Sequence, residues 1–141
     1  MNLFKGYIPA KGKQPLSSIK DATHHLTEPP TTGDYVGVLR EGIVQLDFDN
    51  EDDANRALAI VQEYKLRCDV LQTTRGIHLY FINDPKHIKT QAVDVFNACG
   101  LRCDVGLGSK DRVVPLRLTK ELATTIIVDG EPVTNVTQTT I

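Results

Sequence analysis

The clearest alternation of apolar and polar positions lies in the stretch YVGVLREGIVQLDFD. This pattern predicts two short strands around a turn at residues 40–42, with the second strand over residues 43–48. Because side chains on a strand alternate between faces, Asp47 and Asp49 share one face and Phe48 lies on the other. The stretch therefore predicts a strand with one apolar face and one acidic face.

A helical period follows this strand directly. Asn50 is a favourable N-cap, and Ala54, Ala57 and Val61 follow the spacing of an amphipathic helix that ends near Leu66. The remaining predicted elements are strands over 68–73, 77–82, 102–105 and 112–118, a helix over Thr90–Cys99 closed by Gly100, a glycine-containing loop over 106–111, and a hairpin at IIVDGEPV.

The N-terminal segment, residues 1–33, has a mixed pattern. KGYIPAKGKQPL predicts a basic loop, and residues 17–26 predict a short helix before the double proline in EPPTTGD. From residue 43 the predicted order is β-α-β-β-α-β, a ferredoxin/RRM-like split βαβ core. We therefore expect one α+β domain over 1–141, with an N-terminal αβ module (1–33), a core (34–118) and a C-terminal hairpin and tail (119–141).

Composition is that of an ordinary globular chain. The 141 residues are 40% hydrophobic and 24% charged, enough for one compact domain with a surface cleft. No stretch approaches the roughly 20 apolar residues of a membrane span. The N-terminus carries no apolar signal region. The sequence therefore predicts a cytoplasmic protein with no membrane partner.

The net charge and the cysteine content exclude few classes of function. A net charge of −2 and a pI near 6.1 argue against a bulk electrostatic nucleic-acid binder, yet are compatible with an enzyme acting on nucleotides. The three cysteines include no CxxC pair, and a closed zinc site needs four ligands. Reduced, partly buried thiols are favoured for Cys68, Cys99 and Cys103.

The first candidate for chemistry is the pair Asp47 and Asp49. Residues two apart on a strand project from the same face with Cα atoms about 6.6 Å apart, so their carboxylates can converge on shared cations. Two neighbouring anions are costly unless a positive charge sits between them, and a divalent metal meets that need. Taken alone, the pair is also explained by a solvated strand end or a helix cap.

A second candidate lies in the stretch Thr73-Thr74-Arg75-Gly76-Ile77-His78. His78 falls within a predicted strand, where its imidazole can donate to a phosphate oxygen, and Arg75 can make a bidentate contact to another. The alternative interpretation is a core histidine with a backbone partner.

A third candidate is Asp104, on a strand that the split βαβ order brings back to the sheet centre. The loop that follows, GLGSKDR, has glycines that allow close approach to phosphates, while Lys110 and Arg112 supply positive charge. It is not a Walker A motif, because no GK[ST] is present. Asp69 is a competing candidate for the third acid.

Together these three motifs resemble a known family. The strand Leu46-Asp47-Phe48-Asp49, the strand containing Thr74-Arg75-Gly76-Ile77-His78 and the strand Cys103-Asp104 resemble, in order and spacing, the archaeo-eukaryotic primase superfamily. The likeness is greatest to the primase-polymerase domains of phages, plasmids and other mobile elements. It covers roughly residues 5–118.

The resemblance implies template-directed synthesis or extension of a primer from nucleoside triphosphates with Mg²⁺ or Mn²⁺. It further implies that Asp47, Asp49 and Asp104 are catalytic metal ligands and that His78 contacts the triphosphate. Thr74, Arg75, Lys110 and Arg112 are added as nucleotide-binding residues from their chemistry and placement. The expected partners are a single-stranded DNA template and, in a full-length protein, a helicase or helical accessory domain, acting in the cytoplasm of the host cell.

Two other functions compete with a primase. An RRM-like nucleic-acid-binding module has the same core order, but its aromatic RNP octamer is absent from the sequence. A metal-dependent nuclease or phosphoesterase can use the same acids, and a triphosphate clamp is what separates the primase from it.

Overall fold

The structure is a computed structural model that describes residues 2–73, 75–83, 88–96 and 100–118, together with the pairs 121–122, 124–125, 127–128 and 131–132. Within these ranges the chain has an α+β architecture, with one α-helix and mostly antiparallel strands in two main sheets. The strands are β1 (Phe4–Lys11), β2 (Gln14–Pro15), β3 (Asp34–Leu39), β4 (Ile43–Phe48), β5 (Asp69–Gln72), β6 (Ile77–Ile82), β7 (Ala92–Phe96), β8 (Arg102–Leu107), β9 (Val113–Leu118), β10 (Glu121–Leu122), β11 (Thr124–Thr125), β12 (Ile127–Val128) and β13 (Glu131–Pro132). Helix α1 spans Glu51–Tyr64, and short 3-10 turns lie at Ala22–His24 and Gly108–Lys110. No helix in the described ranges is long and apolar enough to cross a membrane.

The strands form two main sheets, and both contribute residues to the core. Sheet 1 has the strand order β2-β1-β3-β9-β10, and sheet 2 has the order β11-β5-β6-β4-β8-β7. Strands β5, β6, β4 and β8 follow the order predicted for a split βαβ unit, with β6 inserted between the two strands that α1 connects. Strand β4 therefore lies at the centre of sheet 2, hydrogen-bonded to β6 on one side and β8 on the other.

Helix α1 begins and packs as its sequence predicts. The Asn50 side chain accepts a hydrogen bond from the backbone N–H of Asp53, which satisfies one of the free donors of the first turn. Lys65 ends the helix in a left-handed conformation with φ of 50°. The buried stripe at Ala54, Ala57 and Val61 packs on one face of sheet 2.

The opposite face of sheet 2 packs on sheet 1. Tyr80 and Leu71 from sheet 2 share a buried cluster with Phe4 and Tyr35 from sheet 1. The Phe4 ring lies across Gly37, where an added Cβ would be 2.7 Å from a ring carbon. A side chain at residue 37 would therefore push Phe4 out of the contact between the sheets.

The predicted helix over Thr90–Cys99 is wrong. Residues Ala92–Phe96 form strand β7, which pairs antiparallel with β8, and residues 97–99 lie outside the described ranges. Without β7, strand β8 would leave its outer backbone donors and acceptors unpaired, and the β-branched residues of AVDVF suit a strand. Val93 is 80% exposed, so the apolar spacing that suggested a helix does not mark a buried helical face.

The predicted N-terminal helix and basic loop are wrong as well. Residues 4–15 form the hairpin of β1 and β2, with Gly12 in the turn at φ of 60°. The segment predicted as a helix contains only the turn Ala22–His24. Its last residue, Leu26, bonds to β1 instead of continuing a helix: the N–H groups of Tyr7 and Leu26 donate to each other's carbonyl oxygens. Strand β1 pairs with β3, so the N-terminal module and the core share sheet 1.

The C-terminal hairpin is confirmed where it is described. Strands β12 and β13 pair antiparallel, with Ile127 opposite Pro132. Upstream, β10 adds to sheet 1 and β11 adds to sheet 2, so this part of the chain contacts both sheets.

Arg117 fixes the loop that contains the double proline. Its guanidinium donates to the carbonyl oxygens of Gly33, Thr31 and Pro30, at 2.6, 3.3 and 2.8 Å respectively. The same group lies over the Tyr35 ring, 4.9 Å from its centroid. One side chain on β9 thus satisfies three loop carbonyls and stacks on the neighbouring strand.

Arg117→Lys should lower the free energy of unfolding by about 1–2 kcal/mol, because an ammonium cannot reproduce the planar fork of donors. Urea denaturation measures the change. Arg56→Lys, on the exposed face of α1, is the matched control and should stay within about 0.5 kcal/mol of wild type. Equal effects of the two substitutions would contradict the role given to Arg117.

Gly76 should be far less tolerant of alanine than Gly12. A Cβ at Gly76 would lie 1.7 Å from the Phe48 carbonyl oxygen, so Gly76→Ala must displace backbone and should cost about 3 kcal/mol or more. Gly12 has a positive φ but nothing within 4 Å of its Cβ position, so Gly12→Ala should cost only about 1–2 kcal/mol. Thermal and urea unfolding compare the two variants, and a smaller loss for Gly76→Ala would show that β4 and β6 do not meet there.

Candidate active site

Three of the predicted site residues lie in one row across the centre of sheet 2. Asp47 on β4 is directly opposite His78 on β6 and directly opposite Asp104 on β8. Directly opposed residues on antiparallel strands project from the same face, with Cα atoms about 5 Å apart. The register therefore brings two carboxylates and an imidazole to one point on the face that looks toward sheet 1.

His78 contacts both a charged and a neutral partner. Its Nε2 lies 3.4 Å from Oδ1 of Asp47, longer than a full hydrogen bond. Its Nδ1 lies 3.0 Å from the hydroxyl oxygen of Tyr80, two residues further along β6 on the same face. The His78 side chain is only 9% exposed, whereas that of Asp47 is 24% exposed. Solvent therefore reaches the carboxylate more readily than the imidazole behind it.

Tyr80 is the buried end of this chain of contacts. Its side chain is fully buried in the cluster between the sheets. Burial holds the pKa of the Tyr80 hydroxyl well above its ordinary value; the Asp47 anion raises it further, and the Arg112 cation opposes the shift. The hydroxyl is thus protonated at neutral pH.

Asp49 lies just beyond the end of β4 and is exposed. The turn between β5 and β6 closes on this end of the strand, because Gly76 packs directly against the Phe48 carbonyl. The N–H of Gly76 donates to the Thr73 hydroxyl, which orders the turn. Arg75 lies in that turn, exposed, at the same end of sheet 2 as Asp49.

Arg112 reaches the same face from the start of β9. A Cβ at Gly106 would lie 2.7 Å from Nε of Arg112, so the Arg112 side chain lies over Gly106. Gly106 is two residues beyond Asp104 on β8 and is therefore on the same face. The absence of a side chain at residue 106 is what lets the Arg112 guanidinium lie over this face, two residues along β8 from Asp104.

Lys110, another predicted nucleotide-binding residue, is not brought to this row. Lys110 lies in the 3-10 turn after β8, at the end of sheet 2 where Gly108 packs on the Arg40 backbone. Leu107 is opposite Val44, so the turn starts about 10 Å along β4 from Asp47. Thr74 lies outside the described residues.

Asp69, the alternative third acid, is in a different place. It lies on β5, directly opposite Tyr80 on β6, so β6 separates it from β4. Asp69 is only 4% exposed. Asp104 is the carboxylate that the register sets beside Asp47.

Two of the cysteines lie on the face of sheet 2 that α1 covers, opposite the row of Asp47. Cys68 and Cys103 are free, buried thiols in the cluster under α1, in agreement with the sequence prediction, and Cys99 lies outside the described ranges. Burial, reinforced by Asp69, raises the pKa of Cys68 to about 11. Burial also raises the pKa of Cys103, with added contributions from the anions Asp104 and Asp47. Both carboxylates therefore act on the same thiol, which agrees with their proximity.

The donor set suits a hard divalent cation. Carboxylate oxygens are the ligands that Mg²⁺ and Mn²⁺ favour, and Asp47, Asp104 and the exposed Asp49 supply them at one end of sheet 2. Among the described side chains, no three of the His, Cys, Asp and Glu type already converge closely enough to hold a metal ion. The chemistry fits Mg²⁺ or Mn²⁺, and binding would require these carboxylates to turn toward a common centre.

Sequence reasoning missed two residues of this face. Tyr80 and Gln45 are directly opposite each other, two residues from His78 and Asp47 respectively, and both are buried. Because side chains on a strand alternate between faces, the sequence does place both residues on the same face as Asp47 and His78. This alternation is the signal that could have identified them. Their burial depends on sheet 1, which the local pattern does not contain.

No family model, curated protein or solved structure matches the chain.

Gly106→Ala should move Arg112 without unfolding the protein. The atom that a new Cβ would meet belongs to a flexible side chain, unlike the backbone that faces Gly76. We expect the free energy of unfolding to stay within about 1 kcal/mol of wild type. NMR should show shifted resonances for Arg112 and Tyr80, because the guanidinium leaves their shared face. Unchanged Arg112 resonances would contradict the contact.

Proposed function

We propose that this chain is a primase-polymerase catalytic domain that transfers nucleotides from nucleoside triphosphates to the 3′-hydroxyl of a primer on a single-stranded DNA template. The proposal includes a catalytic core of the archaeo-eukaryotic primase type and replication of a phage or other mobile element as its setting. Its support is the resemblance of three short motifs together with the geometry of the residues that carry them.

The observation that carries the proposal is the row of Asp104, Asp47 and His78 across three neighbouring strands. The three motifs are separated by up to 57 positions in the sequence yet meet in strict register. A solvated strand end or a helix cap explains Asp47 and Asp49 but gives no reason for a second carboxylate directly opposite Asp47. A site that gathers carboxylates around a cation does give one.

The proposed reaction is an in-line displacement. The primer 3′-hydroxyl oxygen forms a bond to the α-phosphorus, the bond from that phosphorus to the α–β bridging oxygen breaks, pyrophosphate leaves, and the hydroxyl proton passes to solvent. Mg²⁺ or Mn²⁺ held by Asp47, Asp49 and Asp104 would supply charge stabilisation for the attacking and leaving oxygens. The protein contributes mainly position and electrostatic complementarity.

The triphosphate needs cations from the protein as well. Arg112 lies over Gly106 on the face of the carboxylates, and Arg75 lies at the same end of sheet 2 as Asp49. A guanidinium binds phosphate oxygens through two parallel N–H donors. Arg112 and Arg75 are the proposed phosphate ligands, with Thr74 and Lys110 as further nucleotide-binding candidates.

The geometry is less favourable to an RRM-like module. Such modules stack bases on exposed aromatic residues of the sheet face that the helices leave free. Among the described side chains, the aromatic residue on this face of sheet 2 is Tyr80, which is fully buried against sheet 1. A nuclease would use the same acids, and the products of the reaction distinguish it from a primase-polymerase.

Asp47→Asn and Asp104→Asn should each lower metal-dependent incorporation of labelled nucleotide on a single-stranded template by about 100-fold or more. Each change removes a charge while keeping the side-chain shape. Incorporation is measured with Mg²⁺ and with Mn²⁺, and Mn²⁺ affinity by calorimetry should fall in parallel.

Asp52→Asn is the matched control for these variants. Asp52 is an exposed acid in the first turn of α1, so the same change there should leave incorporation within about twofold of wild type. Equal incorporation by all three variants contradicts the proposal. A wild-type chain that only cleaves phosphodiesters would be a nuclease instead.

A further inference from the structure

The contacts of His78 with Tyr80 and Asp47 determine where the imidazole proton lies. The Tyr80 hydroxyl is fully buried, and Nδ1 of His78, at 3.0 Å, is its hydrogen-bond partner within the described part of the chain. A hydroxyl has one proton to donate, and a neutral imidazole has one nitrogen that accepts and one that donates.

Only one tautomer satisfies both groups. If Nδ1 carried the proton, the tyrosine oxygen would accept it, and the proton of the buried hydroxyl would lose its acceptor. If Nε2 carries the proton, the hydroxyl donates to Nδ1, and the protonated nitrogen is the one that lies 3.4 Å from Oδ1 of Asp47. The cost of an unsatisfied buried donor favours this second tautomer by about tenfold or more.

We propose that Tyr80 is a positioning residue: it fixes His78 as the Nε2–H tautomer, so that His78 orients the Asp47 carboxylate for the cation. This assignment rests on the proposed metal site. It gives His78 a role different from the triphosphate contact that the family resemblance implies. Outer partners that donate to metal-binding carboxylates set their orientation in the same manner.

The burial of His78 supports this role over a direct phosphate contact. His78 is 7% exposed, and both ring nitrogens face protein atoms, one toward Tyr80 and one toward Asp47. A triphosphate oxygen at Nε2 would compete with the Asp47 carboxylate, which lies 3.4 Å from that nitrogen. Among Tyr80, His78 and Asp47, the Asp47 side chain, 24% exposed, is the most accessible to a cation in solvent.

The first test needs neither metal nor nucleotide. Long-range ¹H–¹⁵N correlation of the wild-type protein at about pH 8.5, where an ordinary imidazole is neutral, reads the tautomer of His78. We expect protonated Nε2 and unprotonated Nδ1. Protonated Nδ1 would overturn the proposal. In Tyr80→Phe the Nδ1 resonance should move, because it loses the hydroxyl donor.

The second test measures Mn²⁺ affinity and nucleotide kinetics. Tyr80→Phe should weaken Mn²⁺ binding by about tenfold and lower kcat while leaving the KM for triphosphate within about twofold. Tyr35→Phe is the matched control, since it removes a buried tyrosine hydroxyl from the same cluster without touching His78. A rise in triphosphate KM alone, or equal effects of Tyr80→Phe and Tyr35→Phe, overturns the positioning role.

A double-mutant cycle separates a role through His78 from general destabilisation. His78→Gln retains an N–H donor toward Asp47 but no longer depends on the Tyr80 hydroxyl. In that background Tyr80→Phe should cause no further loss of Mn²⁺ affinity, whereas additive losses contradict the proposal. A wild-type protein that binds Mn²⁺ but incorporates no nucleotide overturns the proposed function alone. The Mn²⁺ and tautomer measurements then still decide the role of Tyr80.

Discussion

The structure depends above all on the placement of a carboxylate, Asp47, on the central strand of a sheet. Strand β4 is hydrogen-bonded on both sides, so Asp47 cannot turn to solvent around a sheet edge. A partly buried anion is costly without a partner. Since the opposite face of β4 packs under helix α1 through Phe48, the pleat turns Asp47 toward sheet 1. Its flanking strands then decide what it meets: His78 on one side and Asp104 on the other.

The face of sheet 2 that looks toward sheet 1 is packed at one end and carries the candidate site residues at the other. The packing at one end therefore affects the geometry at the other. Near Ile43 and Tyr80 this face is buried and packs on sheet 1, which fixes the two sheets against each other. Nearer the end of β4 it carries the row of Asp47 and its partners. Because the packed end sets the spacing between the sheets, it also sets how Arg112, from sheet 1, comes to lie over Gly106. The position of the Arg112 guanidinium is thus a consequence of hydrophobic packing.

Local signals predicted the elements that depend on local physics. The alternation through Phe48 and the cap at Asn50 each specify their own structure, and motif order placed Asp104 beside Asp47. Strand β7 was not predictable in this way, because its apolar spacing fits two periods and the open edge of β8 decides between them. Tyr80 was missed for a related reason: its importance comes from burial by sheet 1. Lys110 follows the end of β8, so its position depends on where that strand ends. The composition of the loop could not predict this end point.

A second polar row beside the first strengthens the interpretation of this face as a site. Gln45 lies between Tyr80 and Gly106, is only 2% exposed, and its Oε1 has no hydrogen-bond partner in the part of the chain that the structure describes. An unsatisfied buried acceptor costs about 1–3 kcal/mol, and an apolar residue would avoid that cost. We would expect an apolar residue at position 45 if this sheet face served only for packing. Since violations of packing rules concentrate where function requires them, two adjacent polar rows on a central strand argue for chemistry at this face.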